Sequence, residues 1–172
     1  MGHPMMPERP QTIVGMTGHR DLHDVETARW VSGVVGAELE RVGATAGVCC
    51  LAVGADQIFA EELLRRGLAL VAVIPSQRYD ETFETSEDRA RYRALVTRST
   101  RAINLAHKEN TEEAFLAGGL AVVDGAPLLM AVWDEQPSRG LGGTADIVAY
   151  ARGLGRRIIY INPFRRSVAR PT

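Results

Sequence analysis

Apolar and polar positions along this chain change period repeatedly. Apolar runs of strand length stand at residues 12–16, 48–53, 68–74, 102–105, 127–133 and 157–161, and most of the stretches between them carry apolar residues at helical spacing. The first run leads through Thr17-Gly-His-Arg-Asp-Leu22 into a helix that Asp24 can cap, with Ala28, Val31, Val35, Leu39 and Val42 on one face. A second helix carries Phe59, Leu63 and Leu64 and stops at Gly67. Residues 76–86 are polar and read as loop, and residues 87–101 as an amphipathic helix around Tyr92, Leu95 and Val96. Thr111 opens a further helix, with Glu112 and Glu113 near its positive end. Ile147, Val148, Ala151 and Leu154 give the last helix its inner face, and the run at 157–161 closes the sheet.

This alternation predicts one doubly wound, Rossmann-like α/β domain, a mainly parallel sheet flanked by helices, over residues 11–164. Residues 1–10, with Pro4, Pro7 and Pro10, and residues 165–172 read as flexible tails. The length of 172 residues suits a single core, and 45% hydrophobic with 24% charged residues is the balance of a soluble globular protein.

Charge and cysteine usage narrow the partners. A net charge of -1 removes the main argument for nucleic-acid binding, so no nucleic-acid partner is expected. Arg89, Arg91, Arg93, Arg98 and Arg101 stand beside Glu84, Glu87 and Asp88 and read as a solvated helix face. Cys49 and Cys50 are neighbours in a strand, on opposite faces, and staple nothing, which points to a reducing, cytoplasmic setting. No signal peptide or membrane span is expected at the start of the chain. His23 and His107 lack partners at ligand spacing, so no metal site is expected. With both cysteines inside a strand and no G-x-S-x-G elbow, a nucleophile is also missing.

In open parallel sheets, ligands sit beyond the carboxyl ends of the strands. The loops there are residues 17–21, 54–56, 75–78 and 133–144. The strongest signal is Arg139-Gly-Leu-Gly-Gly-Thr-Ala-Asp146, in which Gly142, Gly143 and Thr144 precede a helix whose free N–H groups would attract phosphate oxygens. The bland reading is a glycine turn with a Thr cap. No acidic residue follows at dinucleotide spacing, and no Walker motif is present. Gly18 can take a tight turn after the first strand, Arg20 can fork onto a phosphate, and Thr17 completes that loop. His19 is a ligand donor or a structural imidazole, and Asp56, after Gly54 and Ala55, is a ligand contact or a helix cap. Pro75 ends a strand at the same edge, and Trp133 stacks on a base or packs in the core.

Taken together, Thr17-Gly-His-Arg20, Gly54-Ala-Asp56 and Gly142-Gly-Thr-Ala-Asp-Ile-Val-Ala-Tyr-Ala151 resemble the SLOG superfamily of Rossmann-like domains, which includes the LOG phosphoribohydrolases and the nucleotide-binding core of DprA. More narrowly, the chain is similar to small stand-alone bacterial SLOG proteins, and the likeness runs from Ile13 to Ile161. The resemblance implies an AMP- or ADP-ribose-like nucleotide under the glycine-threonine loop, no required cofactor, and a homo-oligomer. The alternative is an N-glycoside hydrolase acting on a nucleoside monophosphate, with Asp146, Asp56 or His19 as acid or base. LOG enzymes carry P-G-G-x-G-T-x-x-E, whereas this chain has Arg139-Gly-Leu141 and, in place of the glutamate, Ile147. Asp146 stands one residue early, turned about a hundred degrees on a helix, and does not inherit the glutamate's role.

Overall fold

The computed structural model describes residues 10–172, so the tail expected over residues 1–10 lies, apart from Pro10, outside it. In chain order the elements are β1 (Ile13–Gly18), α1 (Val25–Arg41), β2 (Ala46–Cys49), α2 (Ala55–Arg65), β3 (Ala69–Ser76), a 3-10 turn (Tyr79–Thr82), α3 (Ser86–Arg98), β4 (Arg101–His107), α4 (Glu112–Asp124), β5 (Leu128–Val132), α5 (Thr144–Gly153), β6 (Arg157–Asn162) and β7 (Ser167–Ala169). The strands form one sheet in the order β4-β3-β2-β1-β5-β6-β7. Every pairing is parallel except that of β6 with β7. No described helix is long and apolar enough to cross a membrane.

Period-two burial separates the two layers. Val14 and Met16 of β1, Met130 and Val132 of β5, and Ile159 and Ile161 of β6 face Val31, Val35 and Leu39 of α1 and Phe59 and Leu63 of α2. Val48, Val73, Leu129, Ala131 and Ile158 point to the other face, against Val122 and Val123 of α4 and Ile147, Val148 and Ala151 of α5. Asp24 caps α1 by accepting from the Thr27 N–H at 2.7 Å, and Thr111 caps α4 by accepting from the Ala114 N–H at 3.2 Å, as their positions predict.

Several boundaries differ from the sequence reading, each for a physical reason. β2 ends at Cys49, because Leu51 turns into left-handed backbone at φ 59° and the N–H groups of Cys50 and Ala52 bond to a side chain instead of a strand. β4 extends to His107 as an edge strand, half exposed and therefore weakly patterned. Leu154 follows α5 and is 46% exposed, so it is not part of the inner face. Residues 165–172 are not a loose tail. Ser167–Ala169 adds an antiparallel strand beyond β6, and Arg170 pairs with the buried Glu38 of α1.

The chain lays down β1 to β4 outward in one direction and then returns to place β5 on the other side of β1. Such a reversal splays the two flanking loops apart and leaves a crevice beyond the strand ends.

Candidate functional site

The opening of α5 forms one wall of this crevice. Gly143 is its N-cap, in extended backbone with no side-chain cap, and Thr144 is already the first helical residue. The loop is therefore not a glycine turn closed by a threonine cap. Gly142 sits at φ 82°, and its N–H donates to Asp146 Oδ2 at 2.9 Å. A Cβ on Gly142 would lie 2.7 Å from the Leu116 amide nitrogen, so only glycine lets the loop lie flat on α4. Asp146 thus braces the loop, and its own N–H bonds to Gly143 O and Ser138 Oγ. Among the described residues, the N–H groups of Gly143, Thr144 and Ala145 have no acceptor.

The opposite wall is the loop after β1. Gly18 is there for close approach, not for the tight turn expected of it: its φ is not positive, and a Cβ would lie 2.5 Å from that of Ala55 and 2.8 Å from that of Val132. Gly54, at φ 88°, has its Cα within touching distance of the same loop, since a Cβ would stand 2.4 Å from Arg20 O and 2.5 Å from His19 O. Ala55 N–H donates to His19 O at 3.1 Å. Gly54 and Ala55 therefore clamp the first loop from behind and do not line the cavity. His19 is turned towards the β5 side: its N–H donates to Val132 O at 3.0 Å, its Nε2 lies 3.0 Å from Asp134 Oδ1, and its ring stacks on Phe164. Trp133 likewise lies outside, its indole N–H donating to Gln136 O at 2.8 Å, which leaves base stacking without support.

Between these walls lies a cavity of about 450 Å³, large enough for a nucleotide-sized ligand. Of the residues singled out in the sequence, Thr17, Gly18, Arg20, Asp56, Pro75, Gly142, Gly143 and Thr144 line it. Its inner surface also uses Met16, Cys50, Tyr79, Phe115, Val122 and Ile147, which the sequence reading did not select. One signal for α4 was present in Gly118-Gly119, since glycine inside a helix costs about 1 kcal/mol and calls for a reason. A Cβ on Gly118 would meet Pro75 at 2.9 Å, and one on Gly119 would meet Ile147 at 2.3 Å, so the pair lets α4 close the cavity's floor.

Asp56 does not cap α2. Its Oδ2 reaches back to accept from the N–H groups of Cys50 at 3.2 Å and Ala52 at 3.3 Å, which fixes the turn after β2. Burial pushes its carboxyl up to about 7, against the lowering effect of those two amides and of the Arg20 charge. Cys50 lies past the end of β2, in a loop and in the cavity wall, contrary to its expected place inside a strand. Burial and the neighbouring Asp56 raise its thiol well above the usual range, so it remains a poor nucleophile.

Arg20 and Arg139 both line the cavity, and among the described residues neither forms an ion pair. The arginines of α3 behave differently. Arg91 forks onto Glu61 with both contacts at 2.6 Å, Arg93 bonds Asp80 at 2.7 Å, and Arg89 is held by the carbonyls of Asp80 and Phe83. These contacts make that helix a salt-bridged surface.

No family model matches the chain, and no curated protein matches it. Solved structures do. DNA processing protein A (DprA) from Streptococcus pneumoniae is similar with a TM-score of 0.65 and 18% identity, over 88% of this chain and 50% of that one. DprA from Helicobacter pylori, described for its single-stranded DNA binding mode, gives a TM-score of 0.63 and 15% identity, over 88% and 65%. The molybdenum cofactor binding protein from Rippkaea orientalis gives 0.55 and 16%, over 88% and 76%. The chain thus spans half to two thirds of the length of these two DprA proteins. The likeness is one of fold, and the fold is the Rossmann-like one that the SLOG resemblance implies.

Proposed function

We propose that this chain binds a nucleotide or nucleotide-derived phosphate ligand, with the phosphate at the opening of α5 and the rest of the ligand in the cavity. The observation that carries the reading is the set of N–H groups on Gly143, Thr144 and Ala145 that have no acceptor among the described residues, with Gly143 and Thr144 in the wall of a cavity that also holds two guanidinium groups without an ion-pair partner among those residues. Gly142 supplies close approach instead of a donor, because its N–H is already bonded to Asp146. Thr17, Gly18 and Arg20 complete the site, and an AMP- or ADP-ribose-like ligand matches its volume.

Calorimetric titration with nucleoside mono- and diphosphates tests the reading. Gly143→Asp places a carboxylate among the amides, and Arg20→Ala removes a cation; each should weaken binding at least about tenfold. Undiminished affinity in both variants refutes the assignment. On net charge, no salt-dependent shift of single-stranded DNA is expected.

One observation favours a second reading, cleavage of a nucleoside-monophosphate N-glycosidic bond. Asp56 is a buried carboxyl poised near neutrality in the wall of the ligand cavity, as a general acid or base needs to be. Asp146 braces the loop and His19 lies outside the cavity, so Asp56 is the candidate that this reading uses. Release of free base, followed by chromatography, separates an enzyme from a binding domain.

A further inference from the structure

Asp56 is the only carboxylate among the described residues that line the cavity. It is 7% exposed, and its oxygens are unequally used. Oδ2 takes both loop amides, while Oδ1 has no donor among the described residues. Around it the wall is aromatic and apolar, from Met16, Pro75, Tyr79, Phe115 and Val122. A sugar seated there would leave several hydroxyls without partners, each a desolvation cost. A flat heterocycle would cover those surfaces with its faces and needs a polar contact only at its edge.

Building on the phosphate site proposed above, we propose that Asp56 determines the ligand's specificity, its Oδ1 accepting a hydrogen bond from an N–H of a nucleobase whose phosphate end rests on α5.

The charges around Asp56 sharpen this assignment. The titratable and charged groups facing Asp56 are Arg20 from the loop after β1, Cys49 and Cys50 from the end of β2, and Tyr79 from the 3-10 turn. Burial raises the thiols and the phenol well above their usual ranges, so they stay neutral near pH 7, and Arg20 is the lone positive charge of the set. With its carboxyl near 7, Asp56 is mostly protonated at pH 6 in the empty protein. A carboxylate Oδ1 accepts an N–H far better than a protonated one, so binding favours release of that proton to solvent. The carboxylate then gains the ligand N–H in place of its own O–H, and no covalent bond to the ligand forms or breaks.

Calorimetry on the full chain at pH 6, in two buffers of different ionisation enthalpy, reads affinity and proton count together. The probes are AMP, GMP, purine riboside 5′-monophosphate, whose ring has no N–H, and ribose 5-phosphate. At least one of AMP and GMP should bind about tenfold or more tighter than the purine riboside ester and release close to one proton more than that ester does, since the phosphate, with its second pKa at about 6, contributes equally to both. In Asp56→Asn the side-chain oxygen is required by the Cys50 and Ala52 amides, which turns the NH2 towards the ligand. That variant, with circular dichroism confirming its fold, should release no more protons with AMP or GMP than with the purine riboside ester, and should lose the tenfold preference. Equal affinity for amine-bearing and bare rings, equal proton release with both, an unchanged preference in Asp56→Asn, or ribose 5-phosphate binding as tightly as the nucleotides overturns the assignment while leaving the phosphate site standing. If none of the probes binds, the phosphate site itself is refuted and this assignment falls with it.

Discussion

Replacing Asp56 by asparagine should change how the fold's stability depends on pH in the absence of any ligand. In the unfolded chain this carboxyl titrates near 3.8, and in the folded chain at about 7. Between those values the native state holds a proton that the unfolded state has released, so stability falls as pH rises, by about 1.4 kcal/mol per unit. Over about three units the loss is about 4 kcal/mol, complete above pH 7. Asparagine keeps an oxygen for the Cys50 and Ala52 amides and cannot ionise, so the variant escapes this loss. Other carboxylates slope the opposite way: Glu38, Glu62 and Asp134 are held below their ordinary values, and what they contribute is lost as pH falls through their folded values. They are common to both proteins and cancel in the difference. Urea denaturation of wild type and Asp56→Asn from pH 4 to pH 8 measures that difference directly. The variant should gain about 4 kcal/mol on the wild type across the range, a relative shift of roughly 8–16 °C in Tm. Parallel curves would show that the carboxyl is ionised and at ease in the fold, and would refute the argument from burial.

Other perturbations read the frame around the site. Gly54→Ala drives a Cβ against the backbone oxygens of His19 and Arg20 at φ 88°, and should cost about 2 kcal/mol or more by denaturant titration, with ligand affinity falling alongside. Gly142→Ala meets the Leu116 backbone in the same way, and should loosen the loop enough for hydrogen exchange at Gly143 and Thr144 to quicken. Arg170→Ala removes one of the two guanidinium partners of the buried Glu38; it should lower stability at pH 7 and, because Glu38 then titrates higher, move the onset of acid unfolding to higher pH, both read by urea denaturation across the acid range. His19→Ala should destabilise the fold measurably while leaving nucleotide affinity within about twofold, since the ring faces Asp134 and Phe164 instead of the cavity.

The elements that the chain announced are those whose pattern is set by two-sided burial. The run at 127–133 is apolar throughout because β5 is covered on both faces, and α1 shows its stripe because it covers one. β7 was missed because Ser167, Val168 and Ala169 form an edge strand whose place is secured by pairing with β6 and by an arginine that reaches across to another element. In the site, Gly142 to Thr144 were legible because anion binding at a helix start uses main-chain atoms and therefore needs small residues in sequence. Gly54 was legible as special but not in its purpose, since a clamp on the loop after β1 depends on a neighbour far away in the chain. Phe115 and Val122 look like any helix core, and only the reversal of strand order brings their face of α4 under the cavity.

That reversal also has a consequence during synthesis. β1 is made well before its β5 neighbour, which follows more than a hundred residues later. At ribosomal speeds the wait is roughly ten seconds, during which β1 to β4 can assemble with one side of β1 bare. A bare strand of this kind recruits any passing strand. Nascent chains stalled before residue 128 should therefore be held by chaperones or aggregate, and those released after residue 170 should fold promptly into the finished sheet.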